Sequence, residues 1–313
     1  MLAIASSPIT TFQAIVLGVL QGVSELFPVS SLGHTVLFPN LFGWDNIVKW
    51  QSQPESPWLA FIVMLHVGSA VGLLIYFWRD WILIIKAFFV SLSRMIRLRK
   101  WAVETPMERL AWLIICASIP TGILGVALEH KLRTATAKPE IAAIFLVVNG
   151  LILLGAERLR RRAEVRALAR REGMKDDGGR VLDTMEYREA GVIGVAQAGG
   201  LLAGISRDGM VMAGGLARGL DNSDAARFGF LLATPIILAA GVYKITDLTG
   251  KIPDLTASGA SDLRSAAVIA AVVAAVVAVF TVHFLTRYFK RGNLTPFGIY
   301  CILFGIAMIA YNA

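Results

Sequence analysis

The chain has 313 residues, 56% of them hydrophobic and only 17% charged, with a mean hydropathy of +0.65. That profile excludes an ordinary water-soluble domain and points to an all-α polytopic membrane protein. The net charge of +8 is no argument for nucleic acid, and none is expected as a partner, because loop Lys and Arg in a membrane chain set orientation.

The N-terminus lacks a charged region and a small-residue cleavage site, so no removed signal peptide is expected. Cys116 and Cys301 lie in separate apolar runs, which predicts neither a disulfide nor a cysteine metal site. The first notable stretch is QGVSELFPVSSLGH, from Gln21 to His34, polar in the middle of apolar sequence. Gln21 and Glu25 are four apart and would share one face of a helix. Pro28 ends that helix, and Ser30-Ser31-Leu32-Gly33 reads as the cap of a second short one, whose free N–H groups would suit an anion. A broken helix with ionisable groups at membrane depth is tolerated where it lines a cavity, and marks a functional site.

A polar loop, 40–56, precedes a span at about 57–78, long enough to cross ~30 Å of hydrocarbon. Residues 81–100 mix apolar positions with Lys86, Arg94, Arg97, Arg99 and Lys100, which predicts an interfacial amphipathic helix. Spans follow at about 109–128 and 140–156, joined by a short polar connection. Arg158, Arg160, Arg161 and Arg162 open a charged loop running to Glu189, placed in the cytoplasm by its cations. Residues 190–220 are apolar but glycine-rich and interrupted by polar groups, and read as a second broken, re-entrant element. Three last spans fall at about 226–247, 264–288 and 296–311.

The second broken element repeats the first. A shift of 176 aligns Gln21 with Gln197, Leu26 with Leu202, Ser30 with Ser206 and Gly33 with Gly209. Each copy is a polar break followed by three spans, so an odd number of crossings inverts the second copy. The expectation is one membrane domain, 1–313: a first repeat at 1–157, a cytoplasmic loop at 158–189 and a second repeat at 190–313. It has about six transmembrane helices plus two re-entrant hairpins, both termini outside, and a site where the breaks meet.

Arg207, in GISRDG, sits in an apolar segment where an unpaired guanidinium is costly, and it offers a planar fork for phosphate oxygens. An ion pair with Glu25 or Asp208 is the structural alternative. Glu25 could hold a metal or act as a base, Gln21 could only hydrogen-bond or serve as a neutral ligand, and His34 could transfer a proton or attack. Ser30 and Ser31 could donate to phosphate or attack it, while Gly199, Gly200, Gly204 and Gly209 would let backbone approach a ligand. His66 is read as supporting the site by a hydrogen bond, and His130 and His283 as bystanders near span ends. Acid, hydroxyls, imidazole and arginine in a membrane cavity support phosphate-ester or anhydride chemistry on a lipid, or anion transport. They do not separate the two.

At these residues the chain resembles the undecaprenyl-pyrophosphate phosphatase family, the bacitracin-resistance membrane phosphatases. The matching words are QGVSE for the family's [E/Q]-x-x-x-E, PVSSLGH for P-V-S-S-x-G-H and GISRDG for P-G-x-S-R-S-G, supported by AARFGFLLATPIILAAG and LTPFGIY. The resemblance implies hydrolysis of a polyprenyl diphosphate lipid to the monophosphate in a bacterial plasma membrane. It implies an outward-facing site and a divalent cation such as magnesium or calcium, and leaves room for a homo-oligomer. It implies catalytic roles for Glu25, Ser30, Ser31, His34 and Arg207, and phosphate binding by Ser31, Gly204, Ser206, Arg207 and Gly209. Gln21, Glu25 and Asp208 are the expected metal ligands. Three positions depart from the pattern: Ala203 for proline, Asp208 for serine and Val211 for threonine. A lipid-phosphate transporter and a weakly active, lipid-diphosphate-binding paralogue remain as alternatives.

Overall fold

The computed structural model describes residues 9–51, 58–136, 138–170, 182–251 and 260–313. Everything regular among them is helical. In chain order the α-helices are α1 (Thr11–Ser24), α2 (Ser31–Leu41), α3 (Asp45–Gln51), α4 (Trp58–Tyr76), α5 (Trp78–Leu98), α6 (Pro106–Thr136) and α7 (Pro139–Arg170). They continue as α8 (Tyr187–Gln197), α9 (Arg207–Ala217), α10 (Asn222–Lys251), α11 (Ala260–Tyr288) and α12 (Thr295–Asn312). Six of these are long and apolar enough to cross a membrane: α4, α6, α7, α10, α11 and α12. Their outward faces keep large apolar side chains exposed, among them Val126, Phe280 and Leu303. That is stable where the surroundings are lipid rather than water.

The two broken elements match closely. Thr11 and Tyr187, Ser31 and Arg207, and Leu41 and Ala217 bound paired helices and are each 176 residues apart. Each first helix opens on a capping box, Thr10 with Gln13 and Glu186 with Glu189. Each second helix is capped by a serine: Gly33 N–H donates to Ser30 Oγ at 3.2 Å, and Gly209 N–H to Ser206 Oγ at 3.0 Å. The packing follows the same pattern, α1 lying on α11 and α8 on α6. α7 and α12 pack closely along their lengths. A Cβ on Gly150 of α7 would fall 2.6 Å from the Gly298 carbonyl oxygen of α12, so only glycine permits this approach.

Several boundaries differ from expectation. The 40–56 loop contains α3; residues 52–57 lie outside the described residues. The connection expected after residue 128 is mostly helix, with α6 running to Thr136 and α7 starting at Pro139. The charged loop begins as helix too, because α7 continues to Arg170. Glu157 pairs with Arg160 at 2.9 Å and Arg161 at 3.1 Å, the i,i+3 and i,i+4 spacings that support a polar helix. Residues 171–181 of that loop, and the first eight residues, lie outside the described residues. The amphipathic stretch is α5, whose Arg94 makes hydrogen bonds of 2.9 and 3.1 Å to Glu108 at the start of α6.

Candidate active site

The two breaks meet. A Cβ on Gly33 would lie 2.9 Å from Gly204 Cα, which puts the start of α2 against the turn before α9. Gly204 has φ +104, a conformation L side chains avoid. Its N–H donates to Ser30 Oγ at 3.1 Å. Ser30 itself has φ 73, unusual for a non-glycine residue, and its Oγ thus caps α2 and holds the second break at once.

Glu25 is at the centre and 7% exposed. Its Oε1 accepts from Arg207 Nη2 at 2.6 Å across the two repeats. Its Oε2 accepts from Gln21 Nε2 at 3.0 Å, as the spacing on one helix face predicts, and from the Ser31 hydroxyl. Arg207 Nη1 also donates to the Ala233 carbonyl of α10 at 3.3 Å. The guanidinium is therefore spread between the first break, its own helix and a span.

His66 joins this group, closer to the chemistry than the sequence suggests. Its Nδ1 donates to the Ile62 carbonyl at 2.8 Å, which leaves Nε2 3.4 Å from Glu25 Oε2 and 3.5 Å from Ser31 Oγ. His34 is placed apart from it. Its Nδ1 donates to the Ser30 carbonyl at 2.7 Å and its Nε2 accepts from the Tyr300 hydroxyl at 2.8 Å. Its ring stacks among Phe38, Tyr300 and Phe304. Both nitrogens are engaged, and what His34 fixes is the carbonyl of the strained Ser30. His283 rests against Tyr76 on the far part of α11, and the side chain of His130 lies outside the described residues.

Some buried acceptors have no hydrogen bond. Among them are Gln21 Oε1 and both carboxylate oxygens of Asp208, a residue only 1% exposed that has Arg207 3.4 Å away. Unpaired oxygens of this kind suit a hard divalent cation. Among the described residues no group of three or more His, Cys, Asp or Glu forms a cage.

Asn149, on α7, escaped the sequence reading. Fully buried, it bonds to both breaks, through Ser206 N–H and the Pro28 carbonyl. A lone asparagine in VVNGL carries no local signal of such a role.

The pattern of the family described as "Bacitracin resistance protein BacA" matches residues 14–307. The chain belongs to this family. It is 48% identical to the "Undecaprenyl-diphosphatase" of Mycolicibacterium paratuberculosis, over 96% of this chain and 97% of that protein. It is 45% identical to "Undecaprenyl-diphosphatase 2" of Frankia alni, over 95% and 96% of the two chains. A relative of the same name from Chromobacterium violaceum is 37% identical over 96% and 98%.

The positions that depart from the BacA pattern have different surroundings. Ala203 is buried beside Gly204, where the turn already holds its shape without proline. Val211 is fully buried and faces Gly229 of α10, where its methyl groups fill space between helices. Asp208 alone among the three brings a charge into the site.

Proposed function

We propose that this protein hydrolyses undecaprenyl diphosphate to the monophosphate and inorganic phosphate, returning the carrier lipid to cell-wall synthesis. The observation that carries this reading is the meeting of Ser31, Glu25 and Arg207 from two separate breaks, in a chain whose relatives are named for that reaction. Arg207 exchanges its bond to Glu25 for the terminal phosphate, which it grips with a planar fork. Ser31 Oγ attacks the terminal phosphorus while its proton passes to Glu25 Oε2. The bond from phosphorus to the bridging oxygen breaks, and the lipid monophosphate leaves with that electron pair. Water then attacks the phosphoserine phosphorus, Ser31 recovers a proton from Glu25, and phosphate departs. Arg207 stabilises the charge that grows on phosphate oxygens, while the Gly204 and Gly209 N–H groups hold Ser30 and Ser206 in place. His66 steadies the Glu25–Ser31 pair, and His34 holds Ser30.

A divalent cation, magnesium or calcium, would be held by Asp208 and Gln21 Oε1 together with Glu25. When bound it neutralises phosphate charge. The protein acts in the bacterial plasma membrane with its site facing outward, which the cationic segments around 79–109 and 158–189 support by placing those segments in the cytoplasm. The test is phosphate release from purified protein in detergent, with undecaprenyl diphosphate, with and without chelator. Release that stops with chelator is expected. A transporter needs a bilayer and releases nothing, so binding without release would overturn the reading.

A further inference from the structure

The two breaks carry different halves of the chemistry, and something must hold them in register. Asn149 stands between them. Its Oδ1 accepts from Ser206 N–H at 3.0 Å, and its Nδ2 donates to the Pro28 carbonyl at 2.9 Å. A second, longer contact runs from Nδ2 to Cys301 Sγ at 3.4 Å. Ser206 immediately precedes Arg207, and Pro28 lies in the turn between Glu25 and Ser31. The partners fix the amide's orientation, since an N–H can only donate and a carbonyl can only accept. The base on which Asn149 stands is stiff, because the neighbouring Gly150 seats α7 directly against the α12 backbone. Helix breaks leave backbone groups without partners, and these are costly inside a membrane. A primary amide carries an acceptor and donors on separate atoms, and so satisfies a donor on one break and an acceptor on the other.

We infer that Asn149 is a positioning residue that registers the two breaks and so aims Arg207 at the Glu25–Ser31 pair. The inference rests on the phosphatase reading above. It acts through Arg207, touching neither substrate nor reacting atoms. Asn149→Asp keeps the shape and the bond from Ser206 but turns a second acceptor toward the Pro28 carbonyl. Asn149→Leu removes both bonds.

The experiment is a double-mutant comparison read by kcat/KM for phosphate release, with and without Arg207→Lys. With Arg207 present, Asn149→Asp should lower kcat/KM by about tenfold or more, since small misplacements of a clamp are expensive. In the Arg207→Lys background the same change should cost less than about threefold, because the aimed fork is already gone. Equal losses in both backgrounds would mean a merely structural role and overturn the inference. Should the variants fail to fold, hydrogen exchange on the unaltered protein decides: the Ser206 amide should be protected although it lies outside any helix, and fast exchange there refutes the brace. Absence of hydrolysis by the unaltered protein is a separate result, which counts against the phosphatase reading while the exchange result still judges Asn149.

Discussion

Arg207 reaches Glu25 and Asp208 through Nη2 and the Ala233 carbonyl through Nη1, two corners of a planar fork that an ammonium lacks. Arg207→Lys keeps the charge and loses the fork. One lost charged hydrogen bond is worth roughly 1.5–3 kcal/mol, so turnover should fall about ten- to a hundredfold. Near-normal phosphate release from the Lys variant would remove Arg207 from the clamp. Asp208 poses the sharper question, because its buried carboxylate has no hydrogen bond. If it helps hold a cation, Asp208→Ser should raise the metal concentration needed for half-maximal activity. An unchanged metal requirement with tighter substrate binding would show instead that the carboxylate only competes with phosphate for Arg207. At this scale the sequence was readable where residues lie close together. Gln21, Glu25 and Ser31 fall within eleven residues, and Arg207 announces itself by its cost in an apolar stretch. His66 was read as a supporting hydrogen bond without a named partner, and Asn149 was not readable, since its role comes from a span folded against the breaks and leaves no local pattern.

The breaks depend on glycine in a way that differs from site to site. A Cβ on Gly204 would run into the Ala142 carbonyl oxygen and stand 2.7 Å from Leu146 N, in a backbone conformation already forbidden to most side chains. Gly204→Ala should therefore abolish activity and lower the unfolding temperature in detergent. Gly43 also has positive φ, yet a Cβ there meets nothing within 4 Å. Gly43→Ala should cost only the left-handed penalty of about 1–2 kcal/mol and keep activity. Comparable loss in both variants would mean that strain, not close approach, governs the breaks. The repeat itself was legible, because Gln21, Leu26, the capping Ser30 and Gly33 recur at a fixed shift. Less legible were the helical start of the charged segment and α3. Charged residues at helical spacing make good helices, and composition alone reads them as loop.

Across the whole molecule, the proposed orientation rests on where the cations fall. A single cysteine placed between Arg158 and Glu189, with Cys116 and Cys301 replaced by serine, should react with an impermeant reagent only after cells are opened. Labelling in intact cells would reverse the topology and turn the site inward. The six spans were plain in the sequence because hydrophobic length is a strong signal. Their packing was not, since the contacts that seat α11 between α1 and α4, and α7 against α12, depend on which small residues face each other.

The fixed shift between the two breaks also matches Ser31 with Arg207, each the first residue of its second helix. The proposed attacker and the proposed clamp are thus equivalent positions on opposite copies. Two identical half-chains associating as a symmetric pair could bring two serines together there, or two arginines, but never one of each. A cleaved anhydride is lopsided, with one phosphate taken and one released, and it needs unlike tools on its two sides. Joining the copies in one polypeptide frees them to diverge, so that a serine and an arginine stand at matching places.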